Sequence, residues 1–150
     1  MPLHKEIELL KERMIPKVRA ALEAMNSDRI LKAFGVESVA VSETLRDLDV
    51  QMAYFSRGRM QAAGDIQAMY KAAGLYPISP TDAIKKITWT LSSKHLVGEA
   101  VDISPVKNGV IWWGAPEGAW LRMGELGEAN GLTWGGRWKN KDNPHWELPN

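Results

Sequence analysis

Two histidines and two carboxylates stand in two short polar segments of the chain, and their side chains could hold a metal ion. The first segment contains His95 and Asp102, and the second contains Asp142 and His145. Zinc bound for catalysis usually keeps three nitrogen or oxygen protein ligands and leaves its fourth position to water. His95, Asp102 and His145 would fill these three positions. The chain has no cysteine, so thiolate sites are excluded and zinc must be held by histidine and carboxylate.

The first segment must bend if its two ligands are to converge. His95 and Asp102 are an odd number of residues apart, and on one unbroken strand they would point to opposite faces. Gly98 lies between them, and a glycine inside a strand pattern commonly marks a bend or bulge. We therefore expect a loop at Gly98. After it, Val101 and Ile103 face a core and Asp102 faces the site.

The second segment contains a turn that flanks the other histidine. Asn143 and Pro144 form a turn or extended signal, because proline fixes its own φ and biases the preceding residue away from helix. A carboxylate held at Asp142 could reach a water on the metal without being a ligand, which suits a general base. Glu147 is the rival candidate for the base. Alternatively, it is a partner that orients an imidazole.

These residues carry a family resemblance. Ser93, His95 and Asp102 read Ser-x-His-x6-Asp, and residues 142–147 read Asp-x-x-His-Trp-Glu. The pattern resembles the zinc D-Ala-D-Ala carboxypeptidase and L-alanyl-D-glutamate peptidase family, which includes VanY-type and VanX-type enzymes and many phage endolysins. Residues 131–138 are similar to the Gly-Leu-x-Trp-Gly-Gly-x-Trp of the endolysin branch.

The resemblance also reaches the first half of the chain, where four residues have the spacing of that branch: Arg46, Gln51, Gly58 and Arg59. It covers residues 36–60 and 87–148. Two features depart from the pattern. Thr-Leu-Arg-Asp at positions 44–47 replaces the usual Gly-Tyr-Arg-Ser, and the stretch before His95 is longer, with an added helix. Neither departure touches the expected metal ligands.

The resemblance implies a fold and a set of roles. The fold would be α+β, with a small antiparallel sheet that carries a zinc site and helices packed against it, as in DD-peptidases and the hedgehog signalling domain. Zn²⁺ would support hydrolysis of an amide bond, with Asp142 as base and Arg46 stabilising an oxyanion or holding a carboxylate. Ser93 and Gln51 would contact substrate. Of the seven tryptophans, we expect only Trp146 to act at the site.

Three functions are compatible with these motifs. The first is an endolysin that cuts the L-Ala to D-Glu bond of peptidoglycan stem peptides, and the second is a carboxypeptidase or dipeptidase that releases terminal D-Ala. The third is a noncatalytic zinc-containing binding module, which the presence of Asp142 disfavours because such a module needs no base. The Trp-Gly-Gly-x-Trp element favours the first function.

The elements that position these segments follow from hydrophobic periodicity. Helical spacing of apolar residues over 7–25, interrupted by Pro16, predicts two short helices or one kinked helix within an N-terminal helical segment, 1–35. Further helices are expected over 28–34, 47–56 and 116–130, and a helical insertion over 60–86. Strands are expected over 36–42, 87–91 and 110–113, with others around the site. In total we expect four or five strands and four or five helices.

Composition sets the remaining bounds. The chain has 150 residues, 45% hydrophobic and 25% charged, which is enough for one globular domain over 1–150, expected to be a monomer. A formal charge of +1 argues against a nucleic-acid binder. The first residues lack the apolar run of a secretory signal, and no stretch could span a membrane. We therefore expect synthesis in the host cytoplasm and, given the resemblance, action on the wall after release through the inner membrane.

Overall fold

The computed structural model describes residues 3–59, 63–87 and 93–150, and these residues form an α+β fold. The α-helices are α1 (Ile15–Ser27), α2 (Arg29–Ala33), α3 (Leu48–Ser56), α4 (Ala63–Ala72), α5 (Pro80–Ala83) and α6 (Glu117–Ala129). The strands are β1 (Ser38–Glu43), β2 (Ala100–Lys107), β3 (Val110–Ile111), β4 (Thr133–Trp134) and β5 (His145–Glu147). Short 3₁₀ helices span Ile7–Leu9, Lys94–Val97 and Gly135–Arg137.

The sheet is small and antiparallel, as expected. Its strand order is β1-β2-β5-β4, and β3 pairs with β2 off this path. Strand β2 is therefore central, because β1 pairs along one of its edges while β5 and β3 pair along the other. In the β2–β5 register Asp102 lies opposite His145, so the sheet itself brings together ligands from distant parts of the sequence.

The main core lies between the sheet and the helices α1, α2 and α6. Val101 and Ile103 of β2 are fully buried in it together with Trp146 of β5. The alternation predicted for β2 is therefore confirmed, because Asp102 faces away from this core. Helix α6 approaches the sheet closely at Gly124 and Gly127, where an added Cβ would lie 2.2 Å from the nearest atom of a tryptophan ring.

The N-terminal segment forms two separate elements. The 3₁₀ helix Ile7–Leu9 is followed by α1, in which Pro16 stands in the first turn. Proline is tolerated there because the N–H of a first-turn residue has no partner inside the helix. Of the two alternatives, two short helices is correct, and Pro16 helps to start α1.

A second hydrophobic cluster forms around the predicted insertion. Val50 and Ala53 of α3 pack with Ile66 and Tyr70 of α4 and with Ala83 of α5. The helical content expected over 60–86 is thus present as α4 and α5. Helix α3 ends at Ser56, and Gly58 follows with a left-handed φ of 71°, a conformation that glycine adopts without strain.

Two strand predictions have other outcomes. The strand predicted over 110–113 is shorter and consists of β3 only. Most of the strand predicted over 87–91 lies outside the described residues. Among the helices of the described residues, none combines the length and apolar character needed to cross a membrane.

Candidate metal centre

His95 is held in place by a short turn and by two contacts with the segment that follows β1. Ser93 precedes the 3₁₀ helix Lys94–Val97, and its Oγ accepts a hydrogen bond from the backbone N–H of His95 at 3.2 Å. Gly98 ends the turn with φ 71°, which confirms the predicted bend. The Nδ1 of His95 lies 2.8 Å from the Thr44 carbonyl, and the backbone N–H of Arg46 donates to the His95 carbonyl at 2.9 Å.

These contacts determine which nitrogen of His95 faces the site. A carbonyl only accepts hydrogen bonds, so Nδ1 must carry the proton and donate to Thr44. The other nitrogen, Nε2, is thereby directed into the site and lies 3.1 Å from Oδ1 of Asp102. His95 as a whole is 1% exposed. The His95 imidazole is therefore oriented before any metal binds, as is usual for histidine ligands.

His145 completes the cluster from β5. Its Nδ1 lies 3.6 Å from Oδ1 of Asp102, and its Nε2 lies 2.8 Å from Oε1 of Glu147. Glu147 also forms an ion pair with Lys94 at 3.0 Å. Of its two expected roles, the position of Glu147 suits the orientation of an imidazole, because its carboxylate is already engaged by His145 and Lys94.

The three predicted ligands fit a metal ion. One ligand atom from each of His95, Asp102 and His145 lies within 4.8 Å of the others. Ligand atoms about 2.0–2.2 Å from a tetrahedral zinc lie about 3–4 Å from one another, so only a small contraction is needed. Two imidazoles and one carboxylate are also a donor set that zinc accepts. The cluster is thus suited to Zn²⁺, and its three donors would leave a fourth position for water.

The ionisable groups of the cluster shift one another's pKa values. Burial alone would raise the pKa of Asp102, but the charges and hydrogen bonds of His95 and His145 outweigh it and lower that pKa well below its usual range. Burial alone would lower the pKa of His145, but Asp102 and Glu147 outweigh it and raise that pKa to about 9. Without metal, His145 is therefore a cation held between two carboxylates.

Asp142 stands beside the cluster on a tight turn. Its Oδ2 lies 3.8 Å from Nδ1 of His145, and its carbonyl accepts a hydrogen bond from the His145 backbone N–H at 3.2 Å. Burial, and after it the charge of Asp102, raises the pKa of the Asp142 carboxyl above its usual value. A carboxylate of raised pKa is a better proton acceptor, which suits the base role predicted for Asp142.

The Trp-Gly-Gly motif shapes this turn. Trp134 donates a hydrogen bond from Nε1 to the carbonyl of Asn143 at 2.7 Å. At Gly135 the backbone of Asp142 comes so close that an added Cβ would lie 2.6 Å from the Asp142 carbonyl oxygen. The motif thus anchors the segment that presents Asp142 and His145.

A cavity of about 930 Å³ opens onto the cluster. Besides the three candidate ligands and Asp142, it is lined by three of the other residues named from the sequence, Arg46, Ser93 and Glu147. Aromatic side chains form part of its wall: Tyr54, Tyr76, Trp113 and Trp138. The ring of Trp138 lies 5.0 Å from that of His145.

Two residues expected at the substrate lie elsewhere. Trp146 is fully buried in the main core, and Gln51 is fully buried beneath the cavity wall. The expected direct contact of Trp146 with substrate is therefore wrong, because β5 turns its side chain to the core face. Gln51 does not line the cavity, and its Oε1 accepts a hydrogen bond from Nη1 of Arg46 at 2.6 Å.

Trp113 and Trp138 were not expected to act at the site, although both line the cavity. A signal was present for Trp138, because its neighbours in the sequence, Arg137, Lys139 and Lys141, are polar and predict an exposed loop. Glu43 was also missed. Its position at the cavity depends on an irregularity in β1 that cannot be predicted from the sequence.

The fold and the cluster together define an α+β protein with a zinc-type His-Asp-His centre at the floor of an open cleft. Residues 86–148 match the family model described as D-alanyl-D-alanine carboxypeptidase. This is the part of the chain that carries all three candidate ligands and Asp142. The chain is therefore similar to that family over residues 86–148, which bears out the resemblance to VanY-like zinc peptidases expected from the motifs.

Two solved structures share the fold. The L-Ala D-Glu endopeptidase ChiX of Serratia marcescens is 22% identical, with a TM-score of 0.57, and the match covers 95% of this chain and 83% of ChiX. A variant of the vancomycin resistance D,D-pentapeptidase VanY from a VanB-type cassette, in complex with Zn(II), is 15% identical. Its TM-score is 0.51, and the match covers 93% of this chain and 72% of VanY. No curated protein matches the sequence.

Proposed function

We propose that this peptidase hydrolyses the L-Ala to D-Glu bond of peptidoglycan stem peptides and serves as a phage endolysin. The observation that carries the proposal is a His95, Asp102 and His145 cluster with Asp142 beside it, at the floor of a cavity of about 930 Å³. The likeness to an L-Ala D-Glu endopeptidase over 95% of the chain supports this choice of bond. The chain would act as one domain over 1–150 and as a monomer.

The residues around the cluster supply the remaining chemistry. Zinc held by His95, Asp102 and His145 would polarise the scissile carbonyl and lower the pKa of water. Asp142 would take the proton from the attacking water and return it to the leaving amine. Arg46 would donate hydrogen bonds to the carbonyl oxygen as negative charge develops on it.

A D-Ala-D-Ala carboxypeptidase is the second candidate. It is favoured by the description of the matching family and by the fold shared with a D,D-pentapeptidase. A carboxypeptidase must hold a free terminal carboxylate beside the scissile bond, whereas an endopeptidase must leave the cleft open at both ends. Whether Arg46 is available to bind such a terminal carboxylate therefore helps to distinguish the two candidate functions.

Mass spectrometry of the products released from purified peptidoglycan tests the proposal. The zinc-loaded protein should release peptides that begin at D-Glu, and a sample treated with chelator should release none. Free D-Ala would instead identify a carboxypeptidase. If several wall types yield no product, the noncatalytic binding module becomes the better account.

The biological role needs a separate test. Expression inside a bacterial host together with a membrane-permeabilising protein should lyse the cells, while expression of the peptidase alone should not. The Asp142→Asn variant serves as the control for the permeabilising protein. Lysis of equal extent with this variant would contradict the endolysin role.

A further inference from the structure

Arg46 is held on three sides by residues of its own region. Its Nε donates to Oε2 of Glu43 at 3.0 Å, and its Nη2 donates to the same carboxylate. Its Nη1 donates to Gln51 at 2.6 Å, and the Tyr54 ring lies 4.9 Å from the guanidinium carbon. The side chains of Arg46 and Glu43 are 9% and 6% exposed. Because Arg46 is so enclosed, its orientation is fixed before substrate arrives.

These contacts leave some of the N–H donors of Arg46 available to a ligand. A guanidinium carries five N–H donors, and the contacts with Glu43 and Gln51 engage one on each nitrogen. Among the residues that the structure describes, none accepts from the second N–H of Nη1 or of Nη2. Arg46 also lines the cavity that opens onto the metal cluster. These two donors can bind one or two oxygen atoms of a substrate.

Glu43 reaches this position through a strand irregularity. The β1–β2 register shifts between Val41 and Glu43, and after the shift Glu43 pairs with Asp102. An irregularity of this kind re-aims the side chains that follow it. Glu43 thereby lines the same cavity as the candidate ligand Asp102.

The charge of Glu43 changes what Arg46 can recognise. An unpaired arginine binds carboxylates well, because its planar fork matches two carboxylate oxygens. Here the Arg46 guanidinium is already paired with the Glu43 carboxylate, so the pair has no net charge. A second carboxylate would be repelled by Glu43 across the guanidinium in a partly desolvated site. A peptide carbonyl has no such charge and meets no such repulsion.

We propose that Glu43 is a positioning residue that sets the specificity of the cleft: it neutralises Arg46 and reserves its two remaining N–H donors for the carbonyl of a bond inside a peptide chain, against a free terminal carboxylate. The inference deepens the proposed function, because it concerns which bonds the same site accepts. It applies to Glu43 acting through Arg46 and assigns Glu43 no contact with substrate.

Equilibrium binding of two probes tests this role. The probes are N-acetyl-D-alanyl-D-alanine and its C-terminal amide, which differ only in the terminal charge. Binding to zinc-loaded protein is measured by calorimetry in the Asp142→Asn background, so that neither probe is hydrolysed. The quantity compared is the ratio of the two dissociation constants.

Glu43→Gln should strengthen binding of the acid relative to the amide by about tenfold or more, because it removes the repelling charge and keeps a hydrogen-bond acceptor beside Arg46. Glu43→Asp keeps the charge and should leave the ratio within about twofold of the parent. Glu99→Gln is the matched control, because Glu99 pairs with Lys11 and Arg13 and does not line the cavity. A merely structural role of Glu43 would weaken both probes together and leave the ratio unchanged.

The reciprocal variant covers a failure of Glu43→Gln to fold. Arg46→Gln leaves the Glu43 charge facing the cleft and should weaken the acid more than the amide. A ratio unchanged in either folded, zinc-loaded variant overturns the proposal. The ratio does not depend on which wall bond is cut, so failure of the proposed function in the product analysis remains a separate result.

Discussion

The side chains of this site have three different tasks. Some can bind the metal ion, others orient the histidine rings, and one can accept a proton. His95, Asp102 and His145 are the candidate ligands, and Asp142 stands beside them with a raised pKa. Each histidine has one nitrogen directed at Asp102 and the other engaged by a fixed acceptor. For His95 this acceptor is a backbone carbonyl, and for His145 it is the Glu147 carboxylate. The orientations of both imidazole rings are thus set by the protein.

Separating the base from the ligands gives the first prediction. Asp142→Asn should lower kcat by about 10²–10⁴-fold, since the proton acceptor is lost, and should retain zinc. His145→Ala should lose both zinc and activity. Metal analysis and peptide hydrolysis measure the two effects, with the exposed Asp65→Asn as control. A fully active Asp142→Asn protein would show that another group is the base.

Zinc binding should displace a proton from His145. Asp102 and Glu147 raise the pKa of His145 to about 9, so the metal-free protein is protonated there at pH 7, while a ligand imidazole must be neutral. Calorimetry at pH 7 in buffers of different ionisation enthalpy should therefore report release of about one proton. The release should fall as the pH is raised through about 9. Zinc binding without proton release at pH 7 would mean that His145 is already neutral.

At the scale of elements, the site depends on close approaches between segments. The sheet register places Asp102 opposite His145, and the segment after β1 reaches His95 through the Thr44 carbonyl. The turn that carries Asp142 is fixed by Trp134 and by the absence of a side chain at Gly135. Replacing a small residue at one of these contacts by a larger one should therefore disturb the site even though the residue is not a ligand.

Gly135→Ala should damage the site without touching a ligand. Its Cβ would lie 2.6 Å from the Asp142 carbonyl oxygen and 3.2 Å from the His145 Cβ, so the turn must move. Destabilisation by about 1–3 kcal/mol and weaker zinc binding are expected. Gly64→Ala is the matched control, since nothing lies within 4 Å of its added Cβ in α4. It should be neutral or stabilising by up to about 1 kcal/mol. Urea unfolding and zinc titration measure both variants.

Asp28 links α2 to α6 and makes stability depend on pH. It accepts from the Leu31 N–H at 2.9 Å as the N-cap of α2, and it pairs with Arg122 at 2.8 Å. The hydrogen bond from Arg122 is the main cause that lowers the pKa of Asp28 below its usual value. Its contribution is therefore present above the unfolded-state pKa of about 3.9 and is lost as the pH falls through the lowered folded-state pKa.

Asp28→Asn should thus cost about 1–2 kcal/mol at pH 7, because it keeps the cap oxygen but loses the paired charge. The difference from the parent protein should shrink as the pH is lowered below about 3.9. Glu125→Gln is the control, because Glu125 is exposed and lies 3.7 Å from Arg122. An equal loss at pH 7 and at low pH would contradict the ion-pair explanation. Urea unfolding of the parent protein and both variants across the pH range measures these differences.

For the whole molecule, the cleft lies where the main core and the second cluster both contribute walls. Asp102 and His145 belong to the sheet over the main core, while Tyr54 comes from a helix of the second cluster. Arg46 stands in the segment between β1 and α3 and contacts Tyr54 of the second cluster. A metal ion bound to residues from distant parts of the sequence should therefore stabilise the fold as a whole.

Zinc should raise the melting temperature. Free zinc at about 100 times its dissociation constant adds about 2.7 kcal/mol of stability, which corresponds to about 5–10 °C for a domain of this size. Differential scanning calorimetry with and without chelator measures the shift. The His145→Ala variant should show no zinc-dependent shift, and an equal shift in this variant would place the metal elsewhere.

The candidate donor set and the local structure that presents it could be predicted from the sequence alone. Ligand types, the bend at Gly98, the alternation around Asp102 and the turn at Pro144 all follow from local chemistry and short-range periodicity. The motif spacing also indicated the family and its α+β fold. These features depend on a few neighbouring residues, so they can be read without knowing how distant segments pack.

The set of side chains that face the cleft could not be predicted from the sequence, because it depends on how distant segments pack. Trp146 and Trp138 are both tryptophans near the site in sequence, but the β5 register buries the first while a loop exposes the second. Gln51 and Glu43 acquire their positions from packing against Arg46, and the register shift in β1 places Glu43 opposite Asp102. Such arrangements depend on contacts between residues far apart in the chain, and local preferences do not encode them.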